Sequence, residues 1–172
     1  MRHARSALAA AVLSAATFAF LAVAPAPAEG VDAPSVEWGR HVAIMAGCHD
    51  CHTAGYAESE GRIDPAAALT GSPVGFQGPW GTTYPSNLRL FAAEYDEDQF
   101  VDRMRQLRSR PPMPWFNLAA FDERDLRSLH RYILSLGEPG RPAPAYVPPN
   151  EDPTSPYVVF APPIMPASRP AN

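Results

Sequence analysis

Cys48-His49-Asp50-Cys51-His52 places two thiols and an imidazole within one short segment. Four chemistries use such a set. A thioredoxin-type dithiol needs a preceding strand and a βαβ pattern, and the flanking sequence offers neither. A zinc site needs further ligands close by, and no second Cys or His pair follows at zinc-finger spacing. A disulfide across two intervening residues closes a strained small ring. The fourth is the C-x-x-C-H haem attachment pattern. Thiols three positions apart lie on one side of a helical turn, so each can bond one vinyl group of the same porphyrin. The next residue, His52, is then carried beneath the ring. One of its nitrogens is left for iron, while the other N–H goes to a backbone carbonyl that fixes its orientation. The motif predicts one covalent haem c, held through Cys48 and Cys51.

Iron held in this way takes its sixth ligand from the other face of the ring, hence from far downstream. Met104, Met113, His130 and Met165 are the candidates. Met113 stands in Arg110-Pro111-Pro112-Met113-Pro114-Trp115, where three prolines restrict the free chain and hold a weakly ligating thioether in place. It is the expected ligand, with Trp115 packing against the pocket. Met104 falls at helical spacing with Phe100 and Leu107, a core pattern. His130 lies beside the apolar stripe of a later helix and reads as a structural histidine. Met165 stands in a Pro-rich tail and reads as surface cover. His41 and His49 are expected to face solvent. With His52 and Met113 both bound, iron keeps no open position, which favours electron transfer over catalysis.

The elements that must position these groups read as helices joined by long loops. Ser35 caps a helix over about 36–46, with Trp38, Val42 and Met45 on one face, and this helix delivers the chain into the motif. Residues 53–94 show no sustained period and are rich in Gly, Pro, Ser and Thr. They predict an extended loop that wraps the cofactor. Asp96 opens the next helix, with Gln99 three residues on in the manner of a capping box. Asp96, Glu97 and Asp98 gather at its start and Arg103, Arg105 and Arg108 towards its end. That is either dipole matching on a solvated face or a cationic patch beside the Met113 loop. Asp122 caps the last helix, Leu126, Leu129, Ile133 and Leu136 form its apolar stripe, and Gly137 ends it. This helix should cross the first at Gly39, with Tyr132 as the large partner. Beyond Gly137 the composition changes, since eleven of the 21 prolines fall between Pro139 and Pro170, predicting a stiff, extended segment. Its apolar stretch, Pro156-Tyr157-Val158-Val159-Phe160, either packs back on the domain or offers a strand to a partner.

At the other end, Met1 to Ala28 reads as a secretory signal. Arg2, His3 and Arg5 form a basic start, an uncharged Ala-rich run follows, and Ala26-Pro27-Ala28 supplies the small residues of a cleavage site. An Ala-rich run with a small-residue exit points to removal rather than to a retained anchor. The expected organisation is a signal over 1–28, a haem domain over 29–137 and an extended tail over 138–172, with the finished protein in the periplasm. Export agrees with covalent haem, which bacteria attach outside the cytoplasm. Removal takes two of the 14 basic residues and none of the 18 acidic ones. That leaves 12 against 18, a net charge of −6, with every cationic side chain an arginine. Such a balance excludes a basic nucleic-acid binder.

Taken together, these segments resemble monohaem class I-like c-type cytochromes, and especially the haem modules in cytochrome subunits of bacterial membrane-associated alcohol and sugar dehydrogenases. The match runs from Trp38-Gly39-Arg40-His41-Val42-Ala43 into Cys48-His49-Asp50-Cys51-His52-Thr53. It continues through Gly78-Pro79-Trp80-Gly81-Thr82-Thr83-Tyr84-Pro85-Ser86-Asn87 and closes on Met113-Pro114-Trp115 and residues 121–136. The resemblance implies an all-α, cytochrome c-like fold, with helices packed around one haem and His52 and Met113 as axial ligands. It also implies that residues 78–87 line the ring and its propionates, with Trp80, Tyr84 and Asn87 as pocket or propionate contacts. Those dehydrogenase subunits often carry several haem motifs, whereas this chain has one, which suits shuttling rather than conduction along a row of haems. The expected function is a periplasmic electron carrier, not an enzyme, serving redox protein partners such as a dehydrogenase or an oxidase. Two alternatives stand beside it. One is a relay subunit held at a membrane-associated dehydrogenase through a partner, with the tail as tether. The other is a gas-binding or catalytic haem protein with an open iron site.

Overall fold

The computed structural model describes residues 33–164; the signal assignment over 1–28 and Met165 lie outside the described residues. The elements in chain order are α1 (Val36–Met45), α2 (Cys48–His52), β1 (Gly75–Gly78), β2 (Gly81–Thr83), α3 (Leu88–Ala93), α4 (Glu97–Gln106), α5 (Trp115–Leu118), α6 (Glu123–Ser135) and β3 (Tyr157–Val159). None of these helices is long and apolar enough to cross a membrane.

Short-range chemistry sets the helix starts. Ser35 Oγ accepts the Trp38 N–H at 3.1 Å and opens α1. Asp96 and Gln99 exchange side-chain and backbone hydrogen bonds in a full capping box at the start of α4. Asp122 accepts the Asp125 N–H at 2.8 Å and opens α6. Gly137, at φ +84°, takes the left-handed conformation just past the end of α6.

The packing is built on α1 crossing α6. A Cβ at Gly39 would fall 1.9 Å from the Ser128 carbonyl oxygen and 2.7 Å from Tyr132 Cβ, so only glycine lets these backbones meet. Trp38 Nε1–H donates to Asp125 at 2.7 Å across the same junction. Leu126, Leu129 and Ile133 from α6 join Val42 and Ala43 from α1 and Phe100, Val101 and Met104 from α4 in one buried cluster. On the outside, Arg127 and Arg131 of α6 reach Glu97 of α4 at 3.2 and 2.7 Å. The acidic start of α4 is therefore spent on a neighbouring helix as well as on its own dipole.

Residues 53–94 are more ordered than the expected loop. They contain β1 and β2, which pair antiparallel with Gly78 opposite Gly81 around a Pro79-Trp80 turn, and they contain α3. Asn87 starts α3 by accepting the Arg89 and Leu90 N–H groups. The tail adds the third strand. β3 pairs parallel with β1, with Phe76 opposite Val158, giving the order β2-β1-β3. An all-helical reading left no place for this sheet, because β1 and β2 are short and glycine-rich and β3 meets β1 only across some 80 residues of chain. Phe160 then packs edge-on against Phe76 and Trp80 at centroid distances of 5.9 and 5.8 Å.

A buried arginine ties these parts together. Arg89 donates to the carbonyls of Ala68, Pro65, Leu136 and Glu138. It thereby pins α3 to the preceding loop and to the end of α6, and it satisfies carbonyls that a helix C-terminus leaves without partners.

Candidate functional site

The short helix α2 carries Cys48, Cys51 and His52, and Gly47, at φ +68°, turns the chain sharply from α1 into it. All three side chains face one cavity of about 820 Å³, within the range of cofactor sites. Phe76, Thr83 and Tyr84 of the hairpin segment form one wall and Phe91, Phe100 and Met104 another. Leu129 and Ile133 of α6 contribute as well, and Pro112, Met113 and Pro114 close the ring of residues. Both cysteines are free, half-buried thiols. The thiols and imidazole of α2 thus share a chamber with the Met113 thioether, 61 residues further along the chain.

His52 is held in a defined state. Its Nδ1–H donates to the Ser86 carbonyl at 2.7 Å, and burial holds the ring below the usual histidine range. The ring is therefore neutral, with Nε2 as its free lone-pair nitrogen, which is the form in which an imidazole binds a metal. Burial also pushes the Cys48 thiol up to about 11 and raises Cys51. A dithiol that works by exchange needs a lowered thiol pKa, so the two sulfurs are poorly set for that role. Among the described residues, no group of three or more His, Cys, Asp or Glu side chains gathers to hold a bare metal ion.

The donor set fits a metalloporphyrin. Two thiols are spaced for one ring edge, an oriented imidazole and a thioether face the same space, and the remaining walls are largely apolar. Thr83 adds a polar contact in waiting, because its Oγ1 is buried without a hydrogen-bond partner and the residue lines the cavity.

Of the other residues singled out from sequence, Tyr84 lines the cavity, whereas Trp80, Asn87 and Trp115 do not. Trp80 sits in the β1–β2 turn, where its Nε1–H donates to the Phe76 carbonyl at 3.3 Å and its ring meets Phe160. Asn87 caps α3 and donates from Nδ2 to the carbonyls of Pro139 and Arg141. Its polar atoms are consumed in capping α3 and in joining the tail to the domain. Trp115 begins α5 and lies under the Arg108 guanidinium. Met104 is 5 % exposed in the core and also touches the cavity. His130 is buried, with Nε2–H donating to the Ala92 and Tyr95 carbonyls, a structural role. Met45 is not on the buried face of α1 with Val42. It is 74 % exposed and borders the cavity, because the last turn of α1 ends at the rim.

His49 corrects the sequence reading outright: it is 0 % exposed rather than solvent-facing. Its Nδ1 lies 2.8 Å from Thr53 Oγ1 and its Nε2 3.2 Å from the Tyr132 hydroxyl. Tyr56 and Tyr132 flank the ring. The turn of α2 that sends Cys48, Cys51 and His52 to the cavity sends His49 the opposite way, towards α6. Tyr132 on α6, a helical neighbour of Ser128, was the available signal, but a long-range contact of this kind has no local mark.

Burial first, and then the charge of Arg40, lowers His49 from 6.5 to about 4. The native protein therefore holds this ring neutral where the unfolded chain takes up a proton. The stabilisation is complete above pH 6.5 and is lost as pH falls towards 4, to a limit of about 3 kcal/mol. Urea unfolding between pH 7 and 4.5 is expected to show this loss in the wild-type protein and a shallower pH slope in His49→Gln. Parallel slopes would contradict the assignment.

Comparison of the chain with protein-family models, curated proteins and solved structures returns no match.

Proposed function

We propose that the chain is an exported, single-haem c-type cytochrome that carries one electron at a time between larger redox proteins. The observation that carries this reading is the meeting of Cys48, Cys51, His52 and Met113 at one largely apolar cavity, with His52 Nδ1 tied to the Ser86 carbonyl. Bound there, a haem supplies one-electron ferric/ferrous chemistry. The residues of this chain do the rest. Cys48 and Cys51 would hold the ring edge through thioethers, and His52 Nε2 and the Met113 sulfur would hold the iron. Phe76, Phe91 and Phe100 exclude water, and Pro112 and Pro114 keep the thioether in position. A thioether ligand favours the reduced ion and raises the potential. Two protein ligands leave no position for substrate, so the role is transfer rather than catalysis.

Carbon monoxide tests this against a gas-binding or catalytic site. Added to the dithionite-reduced protein at pH 7, it is expected to leave the absorption spectrum unchanged over minutes. Rapid, complete formation of a carbonyl spectrum would show an open iron position and remove the carrier reading.

A further inference from the structure

We propose that the surface around the Met113 loop is a docking face for an acidic protein surface. This rests on the electron-carrier reading and deepens it by giving the chemistry of the partner. The chain is acidic, with 18 acidic against 14 basic residues, yet the stretch from Arg103 to Phe121 holds four arginines and no aspartate or glutamate. Three arginines elsewhere are spent within the fold: Arg89 on buried carbonyls, Arg127 and Arg131 on Glu97. In this stretch, among the described residues, only Arg105 meets an acid, Glu123 at 3.6 Å.

Arg108 lies 4.3 Å over the Trp115 ring and Arg110 3.7 Å over the Tyr146 ring, both exposed. A stacked guanidinium keeps its charge and hydrogen-bond donors while losing side-chain freedom in advance, which lowers the entropic cost of binding a carboxylate. Phe116 stands beside them at 60 % exposure. Arginine and aromatic side chains together make the composition of binding hot spots.

The location matters as much as the composition. Leu107, Ser109, Pro112, Met113 and Asn117 line the cavity, so Arg108 and Arg110 alternate with the residues that bound it. Among the described residues, Asp50, on α2, is the one acidic residue on the cavity wall. An acidic surface steered to these arginines would be brought to the cavity rim, where an electron has the shortest way in or out.

Small redox reagents read the local field directly. The rate at which ferricyanide takes up one electron from the reduced protein is expected to fall about threefold or more between about 10 and 200 mM ionic strength. The net charge of the chain predicts the reverse. In Arg108→Glu/Arg110→Glu the salt dependence should invert, and in Arg108→Lys/Arg110→Lys it should persist, separating charge from packing. The tris-phenanthroline cobalt(III) cation should show the opposite trends. Retention on immobilised poly-L-glutamate at low salt, lost in the Glu variant, reads the patch whether or not the protein carries a cofactor.

A wild-type ferricyanide rate that rises with salt, or one whose slope survives the Glu substitutions, would overturn the proposal. So would arginine-dependent binding to phosphatidylglycerol vesicles, or low-salt self-association, without retention on polyglutamate. A colourless protein that still binds polyglutamate would sink the carrier reading alone; a coloured one whose salt slope follows the net charge would sink the docking face alone.

Discussion

Met113→Ala is expected to keep its covalently bound colour but to lose the weak sulfur-to-ferric-iron absorption band at the red end of the spectrum. Its reduction potential should fall by on the order of 100 mV or more, a fraction of the roughly 0.8 V over which axial ligands set haem potentials. The expectation comes from where the thioether sits. Pro112 and Pro114 flank it and line the same cavity, and prolines lower the entropy of the unligated loop. The loop thus presents sulfur at small cost, which a weak ligand requires. Alanine removes the donor and leaves the prolines, so the loop keeps its course while the iron loses a ligand that favours its reduced form. Met104 is the natural control, since it too touches the cavity but is packed in the core beside Phe100 and Val101. Met104→Leu should keep the band. Visible spectra and a redox titration of both variants decide the matter; a band lost in Met104→Leu and kept in Met113→Ala would reverse the assignment.

Cys48→Ser/Cys51→Ser should have the larger effect, because it removes the tether and the fold together. A cavity of about 820 Å³ that stayed sealed and dry would cost about 20 kcal/mol at about 24 cal/mol per Å³. Domains are stable by only about 5–15 kcal/mol. The chamber is partly open to water, which lowers the figure, but its walls still belong to the main core through Phe100, Leu129 and Ile133. Without a covalently held group to cover them, the half-buried Leu88, Phe91 and Phe121 on its walls face water. The variant is expected to yield little or no coloured protein from a maturation-competent host, and what is recovered should lack a cooperative thermal transition. A colourless variant that melts as sharply as the wild type would show that the cavity needs no tethered occupant.

What the sequence disclosed, and what it hid, follows from the range of the interactions. The C-x-x-C-H motif, the Met-Pro loop and the helix caps at Ser35, Asp96 and Asp122 are written within a few residues and could be read directly. So could Gly39, because a glycine in a helix facing a large residue across a crossing has few other uses. The hairpin, α3 and the parallel strand β3 were hidden in stretches that look like loop and tail. β1 and β2 are too short to show a period, and β3 finds its partner only across the whole domain. Trp80 and Asn87 were expected at the pocket from the resemblance and Trp115 from its place beside Met113, and neither a shared motif nor a neighbouring position fixes which way a side chain turns. Asn87 caps a helix that composition did not reveal. Arg89 gave no signal at all, since its four carbonyl partners come from two segments distant in the chain.

The most direct measurement is made on the purified wild-type protein from a host able to mature c-type cytochromes. Acidified acetone is expected to leave all the pigment with the polypeptide, and the denatured protein to exceed its apoprotein mass by one haem. A colourless product, or pigment that passes into the acetone, would contradict the covalent haem.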